Sequence, residues 1–132
     1  MPYELGWQIH NRVIYRRYYG DVTLEEIQQS SDEARAMVMQ GIPLVHSIID
    51  ASEIDRFPSL REVQRSTHFT TVEEEGWQMI MGVSGVARLL VSVLTQITGK
   101  RFRIVNTVDD AMAFLYMQDE TLAETGTLTA QP

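Results

Sequence analysis

Asp50 and Ser52 stand two residues apart just past the apolar run 44–49, where a carboxylate and a hydroxyl can share one turn. Asp in such a place caps the turn, and Ser beside it is a candidate for modification or partner contact. Gly82-Val83-Ser84-Gly85 joins a strand end to a helix start, with Arg88 one turn on. Backbone amides there can converge on an anion and Arg88 can add counter-charge, although tight turn geometry alone also calls for the glycines. The segment lacks the Gly-Lys-Ser/Thr ending of a nucleotide-binding P-loop.

Other reactive types do not assemble. His10 falls at a turn, His46 in a strand and His68 on a weakly apolar helix. His46 and Asp50 share a strand face but are about 13 Å apart along it, too far to hold one metal ion. A Ser-His-Asp set can be drawn on paper, yet no nucleophile-elbow motif supports it. Glu73-Glu74-Glu75 reads as a solvated break rather than a catalytic pair. In Tyr15-Arg16-Arg17-Tyr18-Tyr19, cations and aromatics alternate between strand faces, so they form no single stacking platform for nucleic acid. No enzyme, metal or cofactor is expected.

The elements that position these groups follow from periodicity. Residues 3–10 and 13–19 are β-rich and separated by His10-Asn11-Arg12, a hairpin turn. Both faces of the second run carry apolar bodies, so its arginines are expected to reach past the aromatic rings to water. Thr23-Leu24-Glu25-Glu26 has capping-box spacing and opens a helix with the stripe Leu24, Ile27, Ala34 and Val38, flanked by Met37. Gly41 is expected to close it in a left-handed conformation, and Pro43 to prevent its continuation.

Residues 44–50 form an interior strand, followed by a polar loop over 51–58. Ser59-Leu60-Arg61-Glu62 repeats the capping box and starts a second helix to about Phe69. Residues 77–83 make another interior strand. A largely buried third helix follows from Ser84 or Gly85, with Val86, Leu89, Leu90, Val93, Leu94 and Ile97, and ends at Gly99. Trp77 to Gly99 is long enough to span a bilayer, but its glycines, Arg88 and polar residues favour a strand and a helix over one membrane segment. The strand 100–105 alternates Phe102 and Ile104 against Arg101 and Arg103, as an edge does. Thr107-Val108-Asp109-Asp110 caps a last helix with Ala111, Met112, Leu115 and Tyr116 inside.

The expected order is β-β-α-β-α-β-α-β-α: an α/β fold with a mixed β-sheet, an N-terminal hairpin and α/β crossovers. Residues 1–118 form one domain and 119–132 a flexible tail, poor in large apolar groups. If the third, fourth and fifth strands are parallel, their C-terminal ends bring Asp50, Ala51, Ser52, Gly82, Ser84, Gly85, Asn106 and Thr107 to one sheet edge.

The whole chain has 132 residues, 44% hydrophobic, and a net charge of −7. That balance disfavours nucleic acid and anionic membranes as partners. The absence of Cys excludes disulfides and thiolate chemistry and suits a reducing compartment, with the cytoplasm expected. No basic segment followed by an apolar run opens the chain.

With that order, residues 3–117 resemble the STAS domain family, the fold of bacterial anti-sigma-factor antagonists, in its divergent single-domain STAS-like branch. The likeness is carried by Tyr19-Gly20-Asp21-Val22-Thr23-Leu24-Glu25-Glu26, by residues 44–52 and by residues 101–115. The resemblance implies a non-enzymatic regulatory or scaffold domain that acts through protein–protein contacts. Family members carry a hydroxyl at the turn after the central strand, which a partner kinase phosphorylates; Ser52 is the matching hydroxyl here. Ala51 and Glu53 replace the family's other hydroxyl and its glycine, and an acid beside Ser52 repels an added phosphate, which works against a phosphoswitch. The hairpin tyrosines and arginines, taken as exposed, point to a homodimer. The alternative is a small carrier or sensor: the look is shared distantly with CRAL-TRIO-like lipid-transfer domains, and Met79, Met81, Val93 and Met112 can line a pocket for an apolar or lipid-like ligand.

Overall fold

The computed structural model describes residues 3–56, 58–59, 61–62, 72–82, 92 and 101–123. The hairpin forms as its alternation dictates: β1 (Tyr3–Ile9) runs antiparallel to β2 (Val13–Asp21). The turn His10–Arg12 between them places Asn11 at φ 66°, a left-handed conformation that Asn tolerates. Thr23 and Glu26 complete a reciprocal capping box at the start of α1 (Leu24–Gln40). Ser30, Ala34 and Val38 are its buried residues.

β3 (Val45–Arg56), β4 (Glu75–Met81) and β5 (Arg101–Val105) follow, and α2 (Val108–Gln118) closes the regular structure, its first turn capped by Thr107. The sheet order is β1-β2-β3-β4-β5, and every pair after the hairpin is parallel. It is therefore a mixed α/β sheet with β5 at an edge, as its alternation requires. Because Trp77–Met81 lies in a strand, the apolar stretch 77–99 is not one helix, and no helix among the described residues is long and apolar enough to cross a membrane.

Alternate residues of each strand feed two packed layers. Val13, Ile48, Met79 and Met81 meet Ala111 and Leu115 of α2, while Ile14 and Val45 meet Ala34 and Val38 of α1. Trp77 meets Phe114 edge-on at 4.9 Å, and the Arg103 guanidinium lies over the same Phe114 ring at 4.2 Å.

Five expectations change. Residues 51–56 are not a loop but the continuation of β3, because β2 runs on to Asp21 and supplies partners: Tyr19 pairs with Glu53, Gly20 with Ile54 and Asp21 with Arg56. Two register shifts there break the period-2 pattern. Gly41 is extended, at φ −86° and ψ −171°; glycine is needed because a Cβ would lie 2.6 Å from the Asn11 carbonyl oxygen and 2.8 Å from Val45 Cγ2. Tyr116 is 39% exposed and does not belong to the inner face of α2.

The expected tail does not start at 119. Asp119–Ala123 is fastened to the sheet, with residues 120–123 helical and Leu122 fully buried in the α2-side core; 124–132 lies outside the described residues. The hairpin arginines and tyrosines, finally, do not all reach water. Arg12, Arg16, Tyr3 and Tyr18 are buried and Tyr15, Arg17 and Tyr19 half-buried, because β2 is flanked by β1 and β3 and covered on both faces. The exposed aromatic patch on which the homodimer expectation rested is absent among the described residues. Of the second helix, the described part is its capping box, with Ser59 and Glu62 bonded reciprocally; of the third, only Ser92, which is helical.

Candidate functional site

The β3–β4 and β4–β5 pairings stop on one rung, with Asp50 beside Met81 and Met81 beside Val105, which brings Asp50, Met81 and Val105 to one sheet edge as read from the sequence, while β3 itself runs on to Arg56 beside β2. Asp50 organises it. Its Oδ1 accepts from Ser52 N–H at 2.9 Å and from Ser52 Oγ at 2.6 Å, and its Oδ2 accepts from the Tyr15 hydroxyl at 3.1 Å. Ser52 itself is exposed. Partial burial acts to raise the Asp50 pKa, but the two bonds from Ser52, then Tyr15 and the charge of Arg17, together hold it below its ordinary value. Burial first, and then Asp50, push the Tyr15 hydroxyl up.

Arg17 flanks this cluster, paired with Glu53 and, at 3.3 Å, with Glu4, its guanidinium 5.2 Å from the centre of the Tyr19 ring. Those pairs are solvent-exposed and contribute little to stability. Gly82 closes the other side at φ 75°, and a Cβ on it would overlap Ser52 Cα and Cβ. Both the positive φ and the close approach demand glycine, so this residue serves the packing of β4's end onto Ser52. Ser84, Gly85 and Arg88, the rest of the candidate anion loop, lie outside the described residues, as does Val93. Thr107 is occupied as the α2 cap.

The methionines named for an apolar pocket sit in the packed core: Met79 is fully buried, Met81 is 7% exposed, and Met112 packs against the same cluster. His46, near the start of β3, and Asp50, where β3 leaves β4, serve different sites. His10 is exposed and meets Trp7 edge-on at 5.8 Å, and His68 lies outside the described residues. Residues 73–74 form a turn whose Glu74 carbonyl accepts from Val45 N–H at 2.9 Å. No group of acidic and histidine side chains able to hold a metal occurs among the described residues.

A second polar constellation escaped the sequence reading. At the opposite end of β3, Asp119 Oδ2 accepts from Arg12 Nη2 at 2.7 Å and from His46 Nε2 at 2.9 Å. Asp119 Oδ1 accepts from the Thr121 amide and hydroxyl, and Arg12 also donates to the Leu44 carbonyl and to Thr121 Oγ1. His46 Nδ1 accepts from Trp77 N–H at 2.9 Å, which assigns the ring proton to Nε2. With both nitrogens engaged and the residue 1% exposed, His46 has nothing left for a substrate. The cluster is a structural clamp. The signals for it were faint: a histidine inside an apolar strand, and Leu122 as a large apolar residue in a polar tail.

Burial is the main cause holding the His46 pKa below 6.5, with Arg12 adding to it and Asp119 opposing. Protonation would also turn Nδ1 into a donor facing the Trp77 N–H. The unfolded chain therefore binds the proton more readily, and stability present above about pH 6.5 is lost as the pH falls through the folded pKa. Urea unfolding should show a lower midpoint at pH 5.5 than at pH 7.5 in the native chain and a flatter profile in His46→Gln; equal slopes would exclude His46 as the cause.

No family model and no curated protein matches the sequence. Among solved structures, the chain is similar to an uncharacterized protein of the DUF3478 family with a SpoIIAA-like fold from Shewanella loihica PV-4. The TM-score is 0.60 at 17% identity, over 86% of this chain and 93% of that one. The likeness shows the fold, which is SpoIIAA-like and agrees with the STAS-like architecture expected from the element order.

Proposed function

We propose that this chain is a non-enzymatic regulatory domain acting through protein–protein contacts, with the stretch of β3 beyond its pairing with β4 as its contact surface and Ser52 at the centre. The observation that carries the reading is the exposed Ser52 hydroxyl bonded to Asp50, an ionised carboxylate whose other oxygen is taken by Tyr15. A carboxylate engaged at both oxygens is a fixed negative pole, so the surface presents one orientation of hydroxyl and charge to a partner. The SpoIIAA-like fold supports this choice of edge, since in the STAS family the hydroxyl after the central strand is where contact is made and broken.

Ser52 lies here in the continuation of β3, between Asp50 and Glu53, so negative charge added to it faces two carboxylates. The expected consequence is a disrupted contact rather than a new one. Ser52→Asp should keep the circular dichroism of the native chain while capture of its partners from the host falls roughly tenfold, about 1.4 kcal/mol. Ser52→Ala, which removes a bond without adding charge, should lose less. Cross-links between the native chain and its partners should map to residues 50–53, and light scattering on the same samples reads whether a second copy is the partner. If Ser52→Asp retains every partner at the native level, the stretch of β3 around Ser52 is not the contact surface.

A further inference from the structure

Two arginines of the hairpin are buried, and the chain treats them differently. Arg12 is neutralised by Asp119 and donates to Leu44 and Thr121. Arg16, near the middle of β2 and 7% exposed, has no such partner. Its Nη2 donates to Gln78 Oε1 at 3.1 Å and its Nη1 reaches the Tyr18 hydroxyl at 3.5 Å, the limit of a hydrogen bond. Its Nε is buried and bonds to nothing. Among the described residues, no carboxylate lies within ion-pair distance of it.

A guanidinium does not give up its proton, so neutralisation by deprotonation, the usual escape of a buried lysine, is closed to it. An uncompensated charge in the interior is strongly unfavourable, and folds keep one where an anion meets it. The surroundings say what sort of anion. Registration across the sheet places Arg16 on a rung with Ile49, Ile80 and Ile104, and the adjacent rung carries Ser47 and Gln78, each 2% exposed. The result is a cation beside a neutral hydroxyl and amide, bordered by a row of isoleucines.

We infer that the α1 side of the sheet holds a small molecule with an oxyanion head at Arg16, its apolar body along Ile49, Ile80 and Ile104. Arg16 Nε–H supplies one free donor to the head, and the remaining Nη hydrogens, the Gln78 amide and the Ser47 hydroxyl supply others. Carboxylate and phosphate heads share this chemistry. The site lies across the sheet from the Tyr15–Asp50–Ser52 cluster, since Tyr15 and Arg16 are consecutive in a strand, and it stands whether or not that cluster is a contact surface.

Calorimetric titration of the whole chain with decanoate, monodecyl phosphate and decanol tests it. At least one of the two anions should bind at least tenfold more tightly than the alcohol, and which of them does identifies the head. Arg16→Met should abolish that preference and, without any probe, should unfold at the same urea concentration as the native chain or a higher one, because an uncompensated charge gives way to an apolar chain of similar length. Arg16→Lys, which keeps the charge, should retain part of the preference. Equal binding of alcohol and anions, no binding by any probe, or undiminished anion binding by Arg16→Met would each overturn the inference. So would an Arg16→Met variant that is much less stable than the native chain while Arg16→Lys is not, since Arg16 would then be structural.

Discussion

Replacing Asp119 by Ala is expected to remove about 3–5 kcal/mol of stability, the cost of leaving a buried charge without its partner. The Arg12 side chain is 2% exposed and its Nη2 lies 2.7 Å from Asp119 Oδ2, so this ion pair is shielded from water on the arginine side. Without it the guanidinium loses its bond to that carboxylate, the Leu44 carbonyl and Thr121 hydroxyl that also accept from it are neutral, and His46 Nε2–H loses its acceptor. Thr121 also loses both of its bonds to Asp119 Oδ1, so the turn that seats Leu122 in the core is released with it. Urea denaturation followed by tryptophan fluorescence measures the loss, and limited proteolysis after 118 should accelerate in parallel. Arg12→Met combined with Asp119→Ala should lose less than Asp119→Ala alone, because no charge is then stranded. A loss below about 1 kcal/mol in Asp119→Ala would mean that water replaces the carboxylate and that the clamp is not buried in solution.

That clamp marks where sequence reasoning stops. Local rules were readable: the two capping boxes and the hairpin turn at Asn11 are set by residues within a few positions of one another, and the parallel pairing of the later strands followed from their alternation with helices. The Asp50–Ser52 pair was readable too, being two residues apart. What was not readable depends on separation or on cover. Arg12 meets Asp119 across 107 positions and His46 meets it across 73, and no spacing rule joins them. Arg16 read as reaching water, since arginine in a strand ordinarily does so past its neighbours, and only the sheet order showed β2 with a strand on either side. The polar stretch 51–56 read as a loop because two bulges scramble its alternation, although Ile54 packs with Tyr3, Tyr18 and Val22. Gly41 was correctly tied to the helix end but for the wrong reason, the approach of Asn11 rather than a left-handed backbone.

Gly76→Ala tests the same clamp from the opposite side of His46. Gly76 is buried in β4, at a register shift where Val45 faces Glu75 but Ser47 faces Gln78, so that two residues oppose His46. A Cβ there would overlap Nδ1 and Cε1 of the imidazole and lie 3.2 Å from Cγ. The ring cannot step aside without loss, because Trp77 N–H holds it at one nitrogen and Asp119 at the other. Overpacking costs about 1–3 kcal/mol, and each hydrogen bond given up by a displaced ring adds about 1 kcal/mol. Gly6→Ala is the control: among the described residues beyond its chain neighbours, no atom lies within 4 Å of the added Cβ, so the urea midpoint should stay near the native one. Two further readouts separate a displaced ring from a merely weakened strand. An imidazole pushed to water recovers its ordinary pKa, so Gly76→Ala should lose the difference in midpoint between pH 7.5 and 5.5 that buried His46 gives the native chain. Adding His46→Ala to Gly76→Ala should cost less than the sum of the two single changes, because the Cβ then fills the space the ring leaves. If the two losses simply add, the alanine is accommodated by movement of β4, and His46 is not the group that requires glycine at 76.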